Sequence, residues 1–310
     1  MARSWLWTTN SRGCPWPPLC LKILASQRRE EMIIDGKAIA EEIRTRVLAE
    51  AQALRAKGIV PSLDVVMVGD DPGSIQYAKS KEKTATKLGI DFRFHHFPEI
   101  TPEEEVIAKI KELSADPNVK AIMIEMPLPK HMNENAVRMA LNPDKDVDGL
   151  HPVNLGKLVS GAEGGFIPNT PLAVIRIIDS IGYDLKGKRA VIIGRSVPVG
   201  KPLFFLMLAR HATVTTCHTR TVDLPSVTTQ ADVLVAAAGK AGLVTRDMVK
   251  PGAVVIDVGT NIVDGKTVGD VDFEAVKDVA GMITPVPGGV GPVTTATLFE
   301  NVIEATKKNS

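Results

Sequence analysis

The chain has 310 residues, with 37 Lys+Arg against 36 Asp+Glu and 44% hydrophobic residues. A formal net charge of +1 excludes a general electrostatic nucleic-acid binder, and no apolar run is long enough for an ordinary transmembrane helix. Three cysteines make no disulfide framework, so a soluble globular protein in a reducing compartment is expected.

The averages conceal an uneven start. Trp5, Trp7, Trp16, Cys14 and Cys20 all precede residue 32, with five basic residues and two acids. The remainder therefore carries 32 Lys+Arg against 34 Asp+Glu. A secretory signal is disfavoured, because Lys22 interrupts the only apolar segment, 19–25. Residues 1–31 read as a disordered leader, or as sequence upstream of a start at Met32. An Arg-bearing transit peptide stays open, although Pro15, Pro17 and Pro18 would break the amphipathic helix it needs. The expected location is cytoplasmic, and organellar only if residues 1–31 are a genuine transit peptide.

From Met32 onward helices and apolar strands alternate. The periodicity predicts a helix over 38–56, a strand over 63–69, a helix over 74–88 stopped by Gly89, and a strand over 92–97. A helix over 102–114 and a strand over 121–126 follow. Residues 170–181 read as a helix joining two halves. The second half offers strands over 190–194, 213–218, 232–238 and 254–259, with helices starting near Val199 and Thr245. A closing helix over 298–307 is expected to pack back on the first half. Continuous Val/Ile runs between helices indicate parallel sheets covered on both faces. The expected fold class is α/β, with two α/β domains around a cleft, the second a Rossmann-like parallel sheet. They are a catalytic domain, 32–150, joined by the closing segment 294–308, and a dinucleotide domain, 151–293.

Gly194-Arg-Ser-Val-Pro-Val-Gly200 sits between a strand and a helix. Such a turn lets a phosphate approach the backbone, with helix N-terminal amides facing the charge. The spacing is not the usual Gly-x-Gly-x-x-Gly, and a plain β–α turn explains it equally well. The next strand ends Cys217-His-Thr-Arg-Thr221, without the acid that NAD sites use for the ribose. Arg195, Ser196, Thr219 and Arg220 can instead bind a 2′-phosphate, so NADP is the expected cofactor.

In the first half, Tyr77 and Lys81 lie four residues apart, on one helical face. Together they supply a stacking surface and an acid or base, or else an exposed helix with a snorkelling Lys. Glu125-Met-Pro-Leu-Pro129 follows an apolar strand, and its prolines should stiffen a loop that aims Glu125 at the cleft. Asp146 and Asp148 form a carboxylate pair on a turn. The Gly/Pro-rich segment 283–295 reads as a rigid loop that brings backbone amides to a ligand. Cys217 reads as a core residue. The histidines show no ligand spacing, so no metal is expected.

Tyr-x3-Lys, Pro-Leu-Pro, Asp-Val-Asp-Gly, Gly-Arg-Ser-x3-Gly-x-Pro and Pro-Gly-Gly-Val-Gly-Pro occur in one ordered series. This series resembles the bifunctional methylenetetrahydrofolate dehydrogenase/methenyltetrahydrofolate cyclohydrolase family, from about Met32 to Lys308. The resemblance implies oxidation of 5,10-methylenetetrahydrofolate with NADP+, then hydrolysis to 10-formyltetrahydrofolate, in the one-carbon supply of purine, methionine and histidine synthesis. By motif matching it implies that Tyr77 stacks on the folate, Lys81 is the central catalytic residue, and Asp148 bonds the pterin edge. It places Pro287, Gly288, Gly289 and Val290 on the folate and nicotinamide side. Gly194, Arg195, Ser196, Gly200, Thr219 and Arg220 fall to NADP, and a homodimer is implied, with tetrahydrofolates as the small-molecule partners. A non-catalytic NADP sensor would leave Tyr77, Lys81 and Asp148 without purpose.

One departure bears on chemistry. Family members usually carry Gln where this chain has Glu125. A carboxylate near Lys81 favours its ammonium form, which is a poor base for activating water. The resemblance with this substitution implies a surviving dehydrogenase step and a slowed, or lost, cyclohydrolase step, unless Glu125 itself serves as base or shares a proton with Lys81. Asn169, Leu172-Ala173 and His211 also depart from the usual residues and read as packing or helix-start variation.

Overall fold

The computed structural model describes residues 32–310, and the expected leader, 1–31, lies outside the described residues. The first helix, α1 (Gly36–Ala56), starts where the Asp35 carboxylate accepts from the Lys37 and Ala38 amides. Its buried residues Ala40, Ile43, Val47, Ala51 and Leu54 recur at helical spacing. Three parallel strands follow, β1 (Ser62–Val68), β2 (Asp91–Phe97) and β3 (Ala121–Ile124), in the order β2-β1-β3. They are linked by α2 (Pro72–Lys87) and α3 (Glu103–Ala115). β1 is buried throughout, with Leu63 and Val65 in one apolar cluster and Val66 and Val68 in another. Two faces are thus covered, as the unbroken Leu/Val pattern predicts.

Short helices α4 (Glu134–Met139) and α5 (Pro152–Ser160) precede α6 (Asn169–Ser180), the joining helix. The second sheet has β4 (Arg189–Ile193), β5 (Thr213–Cys217), β6 (Val233–Ala236), β7 (Val254–Asp257) and, after an antiparallel hairpin of β8 (Asn261–Val263) and β9 (Lys266–Val268), β10 (Met282–Ile283). Its order is β10-β7-β6-β4-β5, all parallel. The winding reverses at β4, so the crevice beyond the carboxyl ends of β4 and β6 is a ligand position by topology alone. Helix α7 (Gly200–Ala209) follows β4, α8 (Leu224–Thr228) follows β5, and α9 (Phe273–Val276) precedes β10. The last helix is α10 (Val290–Lys308), which packs on α1 and α6. One apolar cluster takes in Leu63 and Val65 of β1, Ala190 and Ile192 of β4, and Val293, Phe299 and Val302 of α10. The two sheets therefore share a core.

Three expectations need correction. No α-helix starts near Thr245; the segment makes one 3-10 turn, Arg246–Met248. Pro251 has no amide to donate and keeps Lys250 out of helical conformation, so the turn cannot propagate. The closing helix begins at Val290 rather than 298, because Pro292 is tolerated in a first turn whose amides need no internal partner. The Gly/Pro-rich segment is thus loop only as far as Gly289. The predicted strand over 121–126 ends at Ile124, ahead of the Met126-Pro127 peptide.

Candidate functional site

A cleft of about 590 Å³ opens between the halves, with Tyr77, Lys81, Pro127, Asp148 and Asn169 on one side and Pro198, Thr260 and Val290 among the residues on the other. Helix α2 positions the first pair. Asp71 caps it by accepting from the Ser74 amide, and Pro72 fits its first turn. Tyr77 stands 63% exposed at the mouth, one turn above Lys81. Lys81 Nζ donates to both carboxylate oxygens of Glu125, at 2.8 and 2.6 Å, and both side chains are largely buried.

Glu125 does not itself line this cleft, contrary to the expectation. Its amide continues the β1 pairing by donating to the Val66 carbonyl, while its side chain lines an adjoining cavity of about 580 Å³. β3 ends at Ile124, and beyond it Met126 and Pro127 border both spaces whereas Glu125 borders only the adjoining one. The carboxylate reaches the cleft only through Lys81.

Asp148 comes from the turn after α4. The Ile122 amide donates to the Lys145 carbonyl at 2.7 Å, tying that turn to the sheet. The Lys145 ammonium donates to the Leu113, Ser114 and Asp116 carbonyls beneath it. Asp146 accepts from the His151 amide and from Asn154, and so closes the turn. Gly149, at φ +67°, lies so close to the Ile167-Pro168 peptide that a Cβ would stand 2.5 Å from the Ile167 carbonyl carbon. That approach sets Asp148 beside Asn169, whose Nδ2 donates to Asp148 Oδ1 at 2.9 Å. Burial, with the Asp146 charge, pushes the Asp148 carboxyl up to about 6, against the opposing pull of the Asn169 amide and Lys81.

On the nucleotide side, Gly194 lies at φ +138°, and a Cβ there would strike the Ala237 carbonyl. A Cβ on Gly200 would in turn strike the Gly194 carbonyl, so both glycines are demanded by close backbone approach. β4 and β5 pair Ile193 with Cys217, which brings Arg195 and Ser196 alongside Thr219 and Arg220. All four are exposed, and neither arginine makes an ion pair with another described residue. Cys217 is 1% exposed, its thiol pushed up by burial, as fits a core residue. Pro287, Gly288, Gly289 and Val290 line a smaller cavity of about 210 Å³ that shares Tyr77 and Thr260 with the cleft. Among the described residues, no group of three or more His, Cys, Asp or Glu could hold a metal ion.

Residues 34–148 match the tetrahydrofolate dehydrogenase/cyclohydrolase catalytic domain, and residues 168–310 match the NAD(P)-binding domain of the same enzymes. The chain belongs to the tetrahydrofolate dehydrogenase/cyclohydrolase family. Within it, the chain is 52% identical over 272 residues to the bifunctional protein FolD 2 of Desulfitobacterium hafniense, covering 88% of this chain and 95% of that protein. The crystal structure of the FolD dehydrogenase/cyclohydrolase from Campylobacter jejuni superposes with a TM-score of 0.88 at 44% identity, covering 90% of this chain and 99% of that one. The Trypanosoma brucei dehydrogenase-cyclohydrolase, complexed with NADP and an inhibitor, gives 0.85 at 34% identity, over 89% and 97% of the two chains.

Two side chains of this family member escaped the sequence reading. Asn169, expected as helix-start variation, and Asn301, which no motif marks, are both buried behind Asp148. Nothing local marks them, because their partners are far away in sequence. The β8–β9 hairpin lies outside the expected elements, although Asp264-Gly265, both at positive φ, is a legible two-residue turn.

Proposed function

We propose that this chain oxidises 5,10-methylenetetrahydrofolate with NADP+ and hydrolyses the methenyl product to 10-formyltetrahydrofolate. The observation that carries this reading is the single cleft holding Tyr77, Lys81 and Asp148 opposite the dinucleotide crevice. NADP+, when bound, supplies the hydride acceptor. The chain's residues do the rest. The exposed Tyr77 ring offers a face on which a flat heterocycle stacks. Asp148 Oδ2, which makes no hydrogen bond to another described residue, accepts from the pterin N–H edge. Lys81 donates to, or exchanges a proton with, the reacting one-carbon unit. Pro287 to Val290 wall the side where folate and nicotinamide meet. Gly194 and Gly200 admit the pyrophosphate, and Arg195, Ser196, Thr219 and Arg220 take the 2′-phosphate and ribose. Residues fit this group, since close-packed glycines and unpaired guanidiniums stand where it would bind.

The domains follow the same division: 32–150 with the closing helix for folate, and 151–293 for the nucleotide. A cytoplasmic homodimer completes the reading. Ile262 and Val263 on the β8–β9 hairpin, 71% and 44% exposed, offer apolar surface for that pairing. Light scattering on the purified protein should return twice the chain mass.

A second reading is favoured by one contact. The bidentate Lys81–Glu125 contact commits Nζ to a carboxylate rather than to a water, so the hydrolytic step is slowed while hydride transfer, which moves no proton to Lys81, continues. The deciding experiment follows methenyl and 10-formyl products separately after mixing with methylenetetrahydrofolate and NADP+. Transient methenyl build-up supports slowing; prompt 10-formyl formation without build-up supports the fully bifunctional enzyme. No oxidation at all overturns both.

A further inference from the structure

Asn301 lies in the middle of α10, away from the cleft, and is 7% exposed. Its Nδ2 donates to three oxygens: Val147 O at 3.1 Å, Ile167 O at 3.3 Å and Asn169 Oδ1 at 2.9 Å. Two of these are backbone carbonyls and can only accept, so the Asn301 amide has one allowed orientation. Asn169, 5% exposed at the start of α6, must then present its oxygen to Asn301. Its Nδ2 is left for Val147 O at 3.2 Å and Asp148 Oδ1 at 2.9 Å. The hydrogen-bond polarity is thus dictated from α10, through α6, to the turn after α4.

We infer that Asn169 and Asn301 are positioning residues: a two-amide relay that occupies one oxygen of Asp148, fixes the carboxylate plane, and leaves the other oxygen as a single acceptor for the folate N–H edge. The inference rests on the reading of Asp148 as the pterin contact. Donation from a neutral amide favours the ionised carboxylate, against burial, which favours the acid. The relay therefore sets the direction of the free oxygen and draws the carboxyl down against burial. It also confers selectivity: a ligand edge with paired donors is accepted, whereas an acceptor at that place meets a lone-pair-bearing oxygen that cannot turn away.

The charged and titratable groups facing Asp148 are Asp146 on its own turn, Lys81 from α2, Glu125 after β3, and Arg138 and His151 across a small adjoining cavity. None of them is altered by changing the amides. Asn169→Ala should raise KM for methylenetetrahydrofolate about tenfold, the loss of one hydrogen bond to a charged group. KM for NADP+ should stay as it is, and the acidic limb of kcat/KM for the folate should move to higher pH. Asn301→Ala, which touches no ligand, should move the same two readouts in the same direction by a smaller factor. Asn169→Asp, of the same size but with an acceptor in place of the donor, should shift the limb furthest. Unchanged folate KM and pH limb in folded Asn169→Ala overturn the relay, provided Asp148→Ala weakens folate binding. If Asp148→Ala has no effect on folate KM, the reading of Asp148 fails first. Should Asn169→Ala still act in an Asp148→Ala background, Asn169 binds folate directly and the relay is again overturned.

Discussion

Lys81 Nζ sits within 2.8 Å of both oxygens of Glu125, in a pair 13% and 10% exposed. Both carboxylate oxygens engage Nζ, where a neutral amide would offer a single acceptor. Glu125→Gln keeps a hydrogen-bond acceptor for Lys81 but removes the charge. The ratio of 10-formyl to methenyl product should rise by about a hundredfold, the lower end of what a positioned base contributes. Hydride transfer to NADP+ should change much less. Equal product ratios for parent and variant in the two-product assay would sink the second reading.

Asp148 has a linkage consequence. Its carboxyl lies at about 6 in the folded chain against an ordinary 3.8. Between those values the folded chain keeps a proton that the unfolded chain has released, so stability falls as pH rises through the window. The cost stays in full above it. Asp148→Asn removes the titration and still accepts from Asn169. Urea unfolding should show the variant more stable by about 2–3 kcal/mol at pH 7.5, with the gain vanishing near pH 4. Folate KM should rise in the same variant. A stability difference that does not vary with pH would refute the assignment.

Arg195 stands exposed beside Thr219 and Arg220 with no acid among the described residues pairing it. Arg195→Ala should raise KM for NADP+ by about ten- to a hundredfold, as expected for a lost charge-assisted bond to phosphate. KM for NAD+, which lacks that phosphate, should stay within about twofold. Parallel changes for both dinucleotides would place the 2′-phosphate elsewhere.

Gly149 combines a left-handed backbone with a space too small for a methyl group. Gly149→Ala should cost more than about 2 kcal/mol in denaturant unfolding, since the αL penalty alone is about 1–2 kcal/mol. The folate KM should rise as well, because the clash pushes the Asp148 turn from Asn169. A neutral substitution would mean that the 167–168 peptide yields freely.

The reach of the sequence differs from element to element. Unbroken apolar runs such as Val65-Val66-Met67-Val68 and Ala190-Val-Ile-Ile193 announce buried parallel strands, because the hydrophobic signal is local and repeated. Tyr77, Lys81 and Asp148 were legible through motif order, and the structure brings them to one cleft. The aim of Glu125 was not legible, since it depends on where β3 ends. Pro and Gly in the segment 285–292 suggested loop, although helix α10 begins inside it. Asn169 and Asn301 stayed hidden because an isolated Asn carries no pattern. Their meaning exists only once helices distant in the chain are packed.

Helix α10 has a consequence for how the molecule is made. Arg46 on α1 and Glu300 on α10 are bonded across 254 positions of sequence. The apolar face of α1 therefore waits, without its main partner, until almost the whole chain has left the ribosome. Asn301 arrives just as late, and with it the orientation of Asp148. A nascent or truncated chain lacking these final residues has neither the Asn301 contact to Asn169 nor the cover over α1.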